Sequence, residues 1–201
     1  MEGSPGTADH GELGRVVAFS DGVFAIAITL LVLSIEVPSD LAPEQLDDYL
    51  ADSWGQVFAY FLSFAVIGRF WLGHHEHFEM LARSDHRLLA INLVYLAFIV
   101  LIPFPTGVLG DFDLTSSSVV LYAAVVGTAA LFGSLMGEYT VRQGLALPGD
   151  QAALRRITSN LWWVPVVFYL SIPVALVDAR AGALSWLVLT AQGAVDRRRR
   201  R

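Results

Sequence analysis

The chain has no cysteine, an absence that removes disulfide frameworks, thiolate metal sites, thiol nucleophiles and iron–sulfur clusters together. It has no lysine either, so that all 13 basic residues are arginine. Charge is scarce, with 16% charged residues against 55% hydrophobic ones, whereas soluble domains carry about 25% charge. With a mean hydropathy of +0.55, these proportions exclude an ordinary water-soluble enzyme domain. The net charge of −6 argues against a nucleic-acid partner. Residues 1–10 lack a basic n-region and a cleavage pattern, so no removable signal peptide is expected. No internal repeat of convincing period is evident, and the arginine run at the end is the one low-complexity tract.

What the chain does have is long apolar runs. A hydrocarbon core of about 30 Å takes about 20 helical residues to cross, and six stretches approach or exceed that length. The expected spans are M1 (16–37), M2 (54–73), M3 (88–109), M4 (119–137), M5 (161–177) and M6 (181–195). The predicted fold is therefore an all-α membrane protein with six transmembrane helices: a mobile tail over 1–14, the six-span unit over 15–196 and a basic tail over 197–201. Pro103 and Pro105 in M3, and Pro165 and Pro173 in M5, are expected to kink their helices rather than end them. M6 is the weakest span, because its 15 residues fall short of about 17. A tilted interfacial segment is the other reading, and the terminal arginines favour a crossing.

The arginines test this topology. If six spans alternate, Arg15, Arg69, Arg83, Arg87, Arg142, Arg155, Arg156 and Arg197 to Arg201 share one side, and only Arg180 falls on the other. The positive-inside rule makes the majority side cytoplasmic and places both termini there. The opposite face carries Glu36, Asp40, Glu44, Asp47, Asp48, Asp52, Asp111, Asp113 and Asp178. These acids either keep the outer connections soluble or form a vestibule that concentrates cations.

An ionisable residue inside a span costs about 2.5 to 3.5 kcal/mol on insertion scales and is a functional hypothesis by default. Asp21, about two turns into M1, is the clear case. On a helical wheel Ile26, Leu30 and Leu33 fall within about 60° of one another, with Thr29 at the edge of that stripe. Ser20 and Asp21 point away from it. Trp71 and His74 in M2 and Asn92 in M3 supply N–H donors at matching depth, which predicts a polar knot pinning M1 to M2 and M3. The knot serves helix packing, or Asp21 and His74 relay protons. The aliphatic stripe faces lipid, a neighbouring helix or a pore. Gly133 and Gly137 form G-x-x-x-G in M4, a close-packing pattern. His74, His75, Glu76 and His77 offer metal-ligand side chains without a well-placed third ligand, so neither a metal site nor a cofactor is expected. No serine–histidine pair, aspartate pair or H-E-x-x-H motif supports an intramembrane enzyme.

Arg15, Phe19, Ser20 and Asp21 spell R-x-x-x-F-S-D at the start of M1, followed by Ala25-Ile26-Ala27-Ile28-Thr29-Leu30-Leu31-Val32-Leu33. Trp71, His74 and Phe78 follow in W-x-x-H-x-x-x-F, then Ile91-Asn92-Leu93 and Leu101-Ile102-Pro103. Over about Arg15 to Leu109 the chain resembles the potassium-channel family of transmembrane protein 175, of the prokaryotic single-unit type. The resemblance implies a homotetramer in the cell membrane around four M1 helices. Ile26, Thr29, Leu30 and Leu33 match the family's pore-lining positions, with Ile26 at the constriction nearest the cytoplasm, and potassium ions are the implied transient occupants. Ser20, Asp21, Trp71, His74 and Asn92 match the network supporting M1 from behind. Nothing spells T-V-G-Y-G, so the expected channel relies on a hydrophobic constriction and has modest potassium selectivity. A proton-coupled secondary transporter using Asp21 and His74 is the alternative.

Overall fold

The computed structural model describes residues 5–38, 40–112 and 114–189. Helices α1 (Pro5–Leu30), α2 (Leu46–Asp52), α3 (Trp54–Glu79), α4 (His86–Leu101), α5 (Pro103–Asp111), α6 (Ser116–Gln143), α7 (Gln151–Leu161), α8 (Trp163–Val177) and α9 (Ala179–Leu184) follow in order, and α1 tightens into a 3₁₀ turn over Leu31–Ser34. Among the described residues five stretches are long and apolar enough to cross a membrane: Gly11–Ser34, Trp54–Glu79, His86–Asp111, Ser116–Gln143 and Gln151–Val177. The chain is a multi-pass membrane protein.

Two expectations are revised. The first helix begins at Pro5, so residues 5–14 extend M1 rather than forming a tail. M5 is the second half of a longer span that starts with α7, a segment whose mixed polarity hid it from an apolar-run reading. Of M6, residues 181–189 are described, within the short apolar helix Ala179–Leu189. The rest of M6 and the tail at 197–201 lie outside the described residues.

Proline explains the two interrupted spans. Pro165 lacks the N–H that would bond the Leu161 carbonyl, and the break between α7 and α8 falls at Trp162. Pro103 likewise cannot bond Ile99, whose carbonyl instead accepts from Ile102 N–H in a tighter turn at 3.2 Å, between α4 and α5. Gly144 ends α6 at φ +62°, a left-handed conformation that only glycine adopts without steric cost.

Helix α6 is the central post, packed chiefly against α8 and α4. Val119, Tyr122, Ala123, Val126 and Ala129 on α6 are buried with Phe24, Ala27 and Leu31 of α1 and with Ile67, Tyr95, Leu96 and Ile99. In lipid, close packing and interhelical hydrogen bonds hold such helices, because acyl chains are as apolar as leucine. The G-x-x-x-G pair fits that demand: a methyl on Gly133 would stand 3.3 Å from Tyr95, and one on Gly137 would stand 2.7 Å from Thr158 Oγ1. Polar pins cross the same interfaces. Ser63 Oγ lies 2.7 Å from Thr106 Oγ1 and 3.1 Å from the Tyr122 hydroxyl, joining α3, α5 and α6. Trp186 donates from Nε1 to Ser171 Oγ at 3.0 Å.

At one end of the bundle the α3–α4 and α6–α7 connections are tied together. Ala82 N–H donates to Leu145 O at 2.9 Å and Leu147 N–H to Met80 O at 2.8 Å. Asp85 caps α4 by accepting from Leu88 N–H at 2.8 Å, and its other oxygen accepts from the Tyr139 hydroxyl at 2.7 Å. Burial works against ionisation of this carboxyl, but the Leu88 and Tyr139 hydrogen bonds outweigh it and hold Asp85 below the usual 3.8.

Candidate functional site

Helix α1 has two unlike faces. Leu13, Ser20, Phe24, Ala27 and Leu31 are buried, a spacing of seven, four, three and four that marks one side of a helix. On the opposite side Ile26 is 56% and Leu33 66% exposed, Leu30 is also exposed, and Thr29 joins them. The Thr29 hydroxyl donates to Ile26 O of its own helix at 2.9 Å. Its oxygen therefore stays available as an acceptor on the exposed face. Among the described residues, little covers this stripe.

The buried face meets α3 and α4 through polar contacts. Asn92 Nδ2 donates to Ser20 Oγ at 3.1 Å, and Asn92 Oδ1 lies 3.0 Å from His74 Nε2. Because that oxygen only accepts, Nε2 carries the imidazole hydrogen. Trp71 donates from Nε1 to Asp21 Oδ1 at 2.9 Å. Ser20, His74 and Asn92 are buried, whereas Asp21 is half-buried at the margin. Arg15 and Phe19, the other two motif residues, are exposed and lie outside this network. Asp21 and His74 share no hydrogen bond among the described residues, so a direct relay between them has no contact to run through.

Aromatic rings fix the imidazole. His74 stacks on Phe78 at 4.3 Å between centroids and on Tyr95 at 5.9 Å, and Phe24 meets its edge at 5.5 Å. The W-x-x-H-x-x-x-F spacing places Trp71, His74 and Phe78 on overlapping turns of α3, which brings the donor, the imidazole and its stacking partner toward α1 and α4. Phe24 and Tyr95 are the members that sequence reasoning missed. Phe24 is four residues beyond Ser20 and Tyr95 three beyond Asn92, so the i, i+3 and i, i+4 rule was the available signal.

His75 and His77 have separate partners. His77 Nε2 lies 3.1 Å from Thr140 Oγ1 on α6, and His75 pairs with Glu79 at 3.1 Å while stacking on Trp71. No group of three or more metal-ligating His, Asp or Glu residues assembles among the described residues. Beyond the 3₁₀ turn, the connection from Ile35 to Ser53 carries Glu36, Asp40, Glu44, Asp47, Asp48 and Asp52 and no arginine.

Residues 15–103 match the family described as the endosomal/lysosomal potassium channel TMEM175. A protein of Streptomyces collinus named as a potassium channel is 40% identical over 73% of this chain and 74% of its own length. Another of that description, from Chamaesiphon minutus, is 32% identical over 85% of this chain and 87% of its own. The crystal structure of a lysosomal potassium-selective channel TMEM175 homologue from Chamaesiphon minutus superimposes with a TM-score of 0.81, at 29% identity, covering 92% of this chain and 98% of that one. On the motif helices, the sequence relatives and the shared fold together, the chain belongs to the TMEM175 family of ion channels.

Proposed function

We propose that the chain forms a potassium-permeable cation channel of the cell membrane, a homotetramer in which four copies of α1 surround the ion pathway. The observation that carries this reading is the uncovered stripe Ile26, Thr29, Leu30 and Leu33 on the side of α1 opposite the face packed against its own subunit. Around a fourfold axis this stripe would line a narrow, largely apolar tube with one ring of threonine oxygens. Ile26 would form the constriction nearest the cytoplasm, and both termini would lie on that side with most of the arginines.

Such a tube selects without a carbonyl filter. An ion passing the isoleucine ring sheds part of its hydration shell, which costs potassium less than sodium and gives modest selectivity. Small rotations of α1 widen or close the ring, and an apolar ring that closes also dewets. The polar knot of Ser20, Asp21, Trp71, His74 and Asn92 sets the rotation of α1 and hence the aperture. The acidic connection after α1 raises the local cation concentration at the opposite mouth.

Purified protein in vesicles under a potassium gradient tests the proposal. The reversal potential should follow the potassium gradient and stay put when a proton gradient is imposed. A flux that requires proton counter-movement at fixed stoichiometry would instead support the carrier.

A further inference from the structure

Two members of R-x-x-x-F-S-D, Arg15 and Phe19, take no part in the network behind α1, and both are exposed. At about 100° per residue, they fall on the line that Ile26, Leu30 and Leu33 occupy. Exposed Glu12 falls there too, so the stripe runs on past Ile26 toward the start of α1. At that end Leu13 is buried with Phe78, Leu81 and Leu88 of the same subunit, which turns Glu12 and Arg15 outward. Arg15 lies about 16 Å and Glu12 about 21 Å from the level of Ile26, at about 1.5 Å per residue, on the side that carries most of the arginines. Among the described residues neither charge has an ion-pair partner, and they do not pair with each other although they are i, i+3 neighbours.

The two charges lean to opposite flanks. With Ile26 as the centre of the stripe, Glu12 stands about 40° to one side and Arg15 about 20° to the other. The flank of Glu12 also carries the bulky Phe19, Val23 and Leu30, whereas the flank of Arg15 carries Ala18, Gly22 and Ala25. A methyl on Gly22 would meet nothing within 4 Å, so that flank is open. In a ring of like subunits each copy turns one flank toward the opposite flank of the next. Around the axis proposed above, Glu12 of one copy therefore faces Arg15 of its neighbour, offset by about 4.5 Å along parallel helices, a gap that the two long side chains span. Bulky residues meet small ones along the same seam, which lets the helices approach. Left unpaired, a ring of guanidinium groups on the ion path would repel cations from the inner mouth.

We propose that Glu12 of each copy pairs with Arg15 of the next, closing a ring of alternating charge at the cytoplasmic mouth. The pairing, which rests on the tetrameric reading above, decides which flank of α1 meets which. It also neutralises the arginine that the motif places on the ion path.

Disulfide trapping between full-length chains with different tags tests the pairing, one chain carrying Glu12→Cys and the other Arg15→Cys, co-expressed and oxidised in the membrane. The protein has no cysteine of its own, so each chain brings a single thiol and every disulfide joins two copies. Dimers holding both tags should exceed same-tag dimers of either kind. Same-tag dimers in equal or greater yield, or no disulfide in protein whose light-scattering mass is tetrameric, overturn the pairing and leave the tetramer standing. A monomeric mass overturns the tetramer and the pairing with it. A double-mutant cycle forms the second arm, read as the tetramer dissociation constant in detergent. Glu12→Gln and Arg15→Gln should each raise that constant, by about twofold to fivefold for each interface. The two together should raise it by less than the product of the separate fold-changes, and a full product overturns the ion pair.

Discussion

Asn92 gives its amide hydrogen to Ser20 and its oxygen to His74, so one side chain joins three helices. Asn92→Leu keeps the bulk and leaves a buried hydroxyl and a buried imidazole N–H without partners. Interhelical hydrogen bonds in lipid average about 0.6 kcal/mol and reach about 1.7, so the variant should lose about 1 to 2 kcal/mol, read by thermal unfolding in detergent. An unchanged midpoint would mean that the knot does not hold α1. Ile26 makes the opposite kind of prediction, because it is exposed and supports nothing. Ile26→Asn should leave stability within about 0.5 kcal/mol while wetting the constriction, raising conductance and lowering the potassium-to-sodium ratio in bilayer recordings. Unaltered currents would remove Ile26 from the narrow point.

At the scale of elements, the cap of α4 ties a connection to a helix. Asp85→Ala removes both the bond to Leu88 N–H and the acceptor for Tyr139, a loss of about 1 kcal/mol for a helix cap. The carboxyl is held below its ordinary 3.8 in the folded chain. Its stabilisation is therefore fully present above that value and is lost as pH falls through the lower folded-state value. The stability gap between wild type and Asp85→Ala should be constant from neutral pH to about 5 and should close below 3.8. A gap that persists in strong acid would contradict the assignment.

The elements also show where the sequence was readable. Apolar runs announce a span, so the cores of α1, α3, α4 and α6 were visible. Their ends were not, because a helix that leaves the bilayer continues on caps and polar residues, as α3 does past Gly73 to Glu79 and α6 past Gly137 to Gln143. Helix α7 escaped notice for the same reason: it is amphipathic, burying Leu154 and Thr158 while exposing Arg155 and Arg156. The candidate knot was legible because buried polar groups in a span need partners at equal depth, and few were on offer. The Ser63, Thr106 and Tyr122 cluster was not, since hydroxyls are common in spans and often bond their own helix, as Thr106 also does to Ile102 O at 2.8 Å.

For the whole molecule, the subunit buries one face of α1 and leaves the other exposed, the face on which the proposed tetramer would meet. If four assemble, light scattering of the purified protein should give a protein mass of about 88 kDa, four times the 21.9 kDa chain. A monomer mass would rule out a shared pathway.

The absence of cysteine makes the central claim directly measurable. Ile26→Cys, Leu30→Cys and Leu33→Cys each place one thiol on the α1 stripe, and Leu170→Cys, on exposed α8 surface, serves as the control. Water-soluble charged methanethiosulfonate reagents should abolish potassium current in the stripe variants and leave the control untouched. Stripe thiols that resist modification, or that react without altering the current, would contradict the placement of α1 around the ion path.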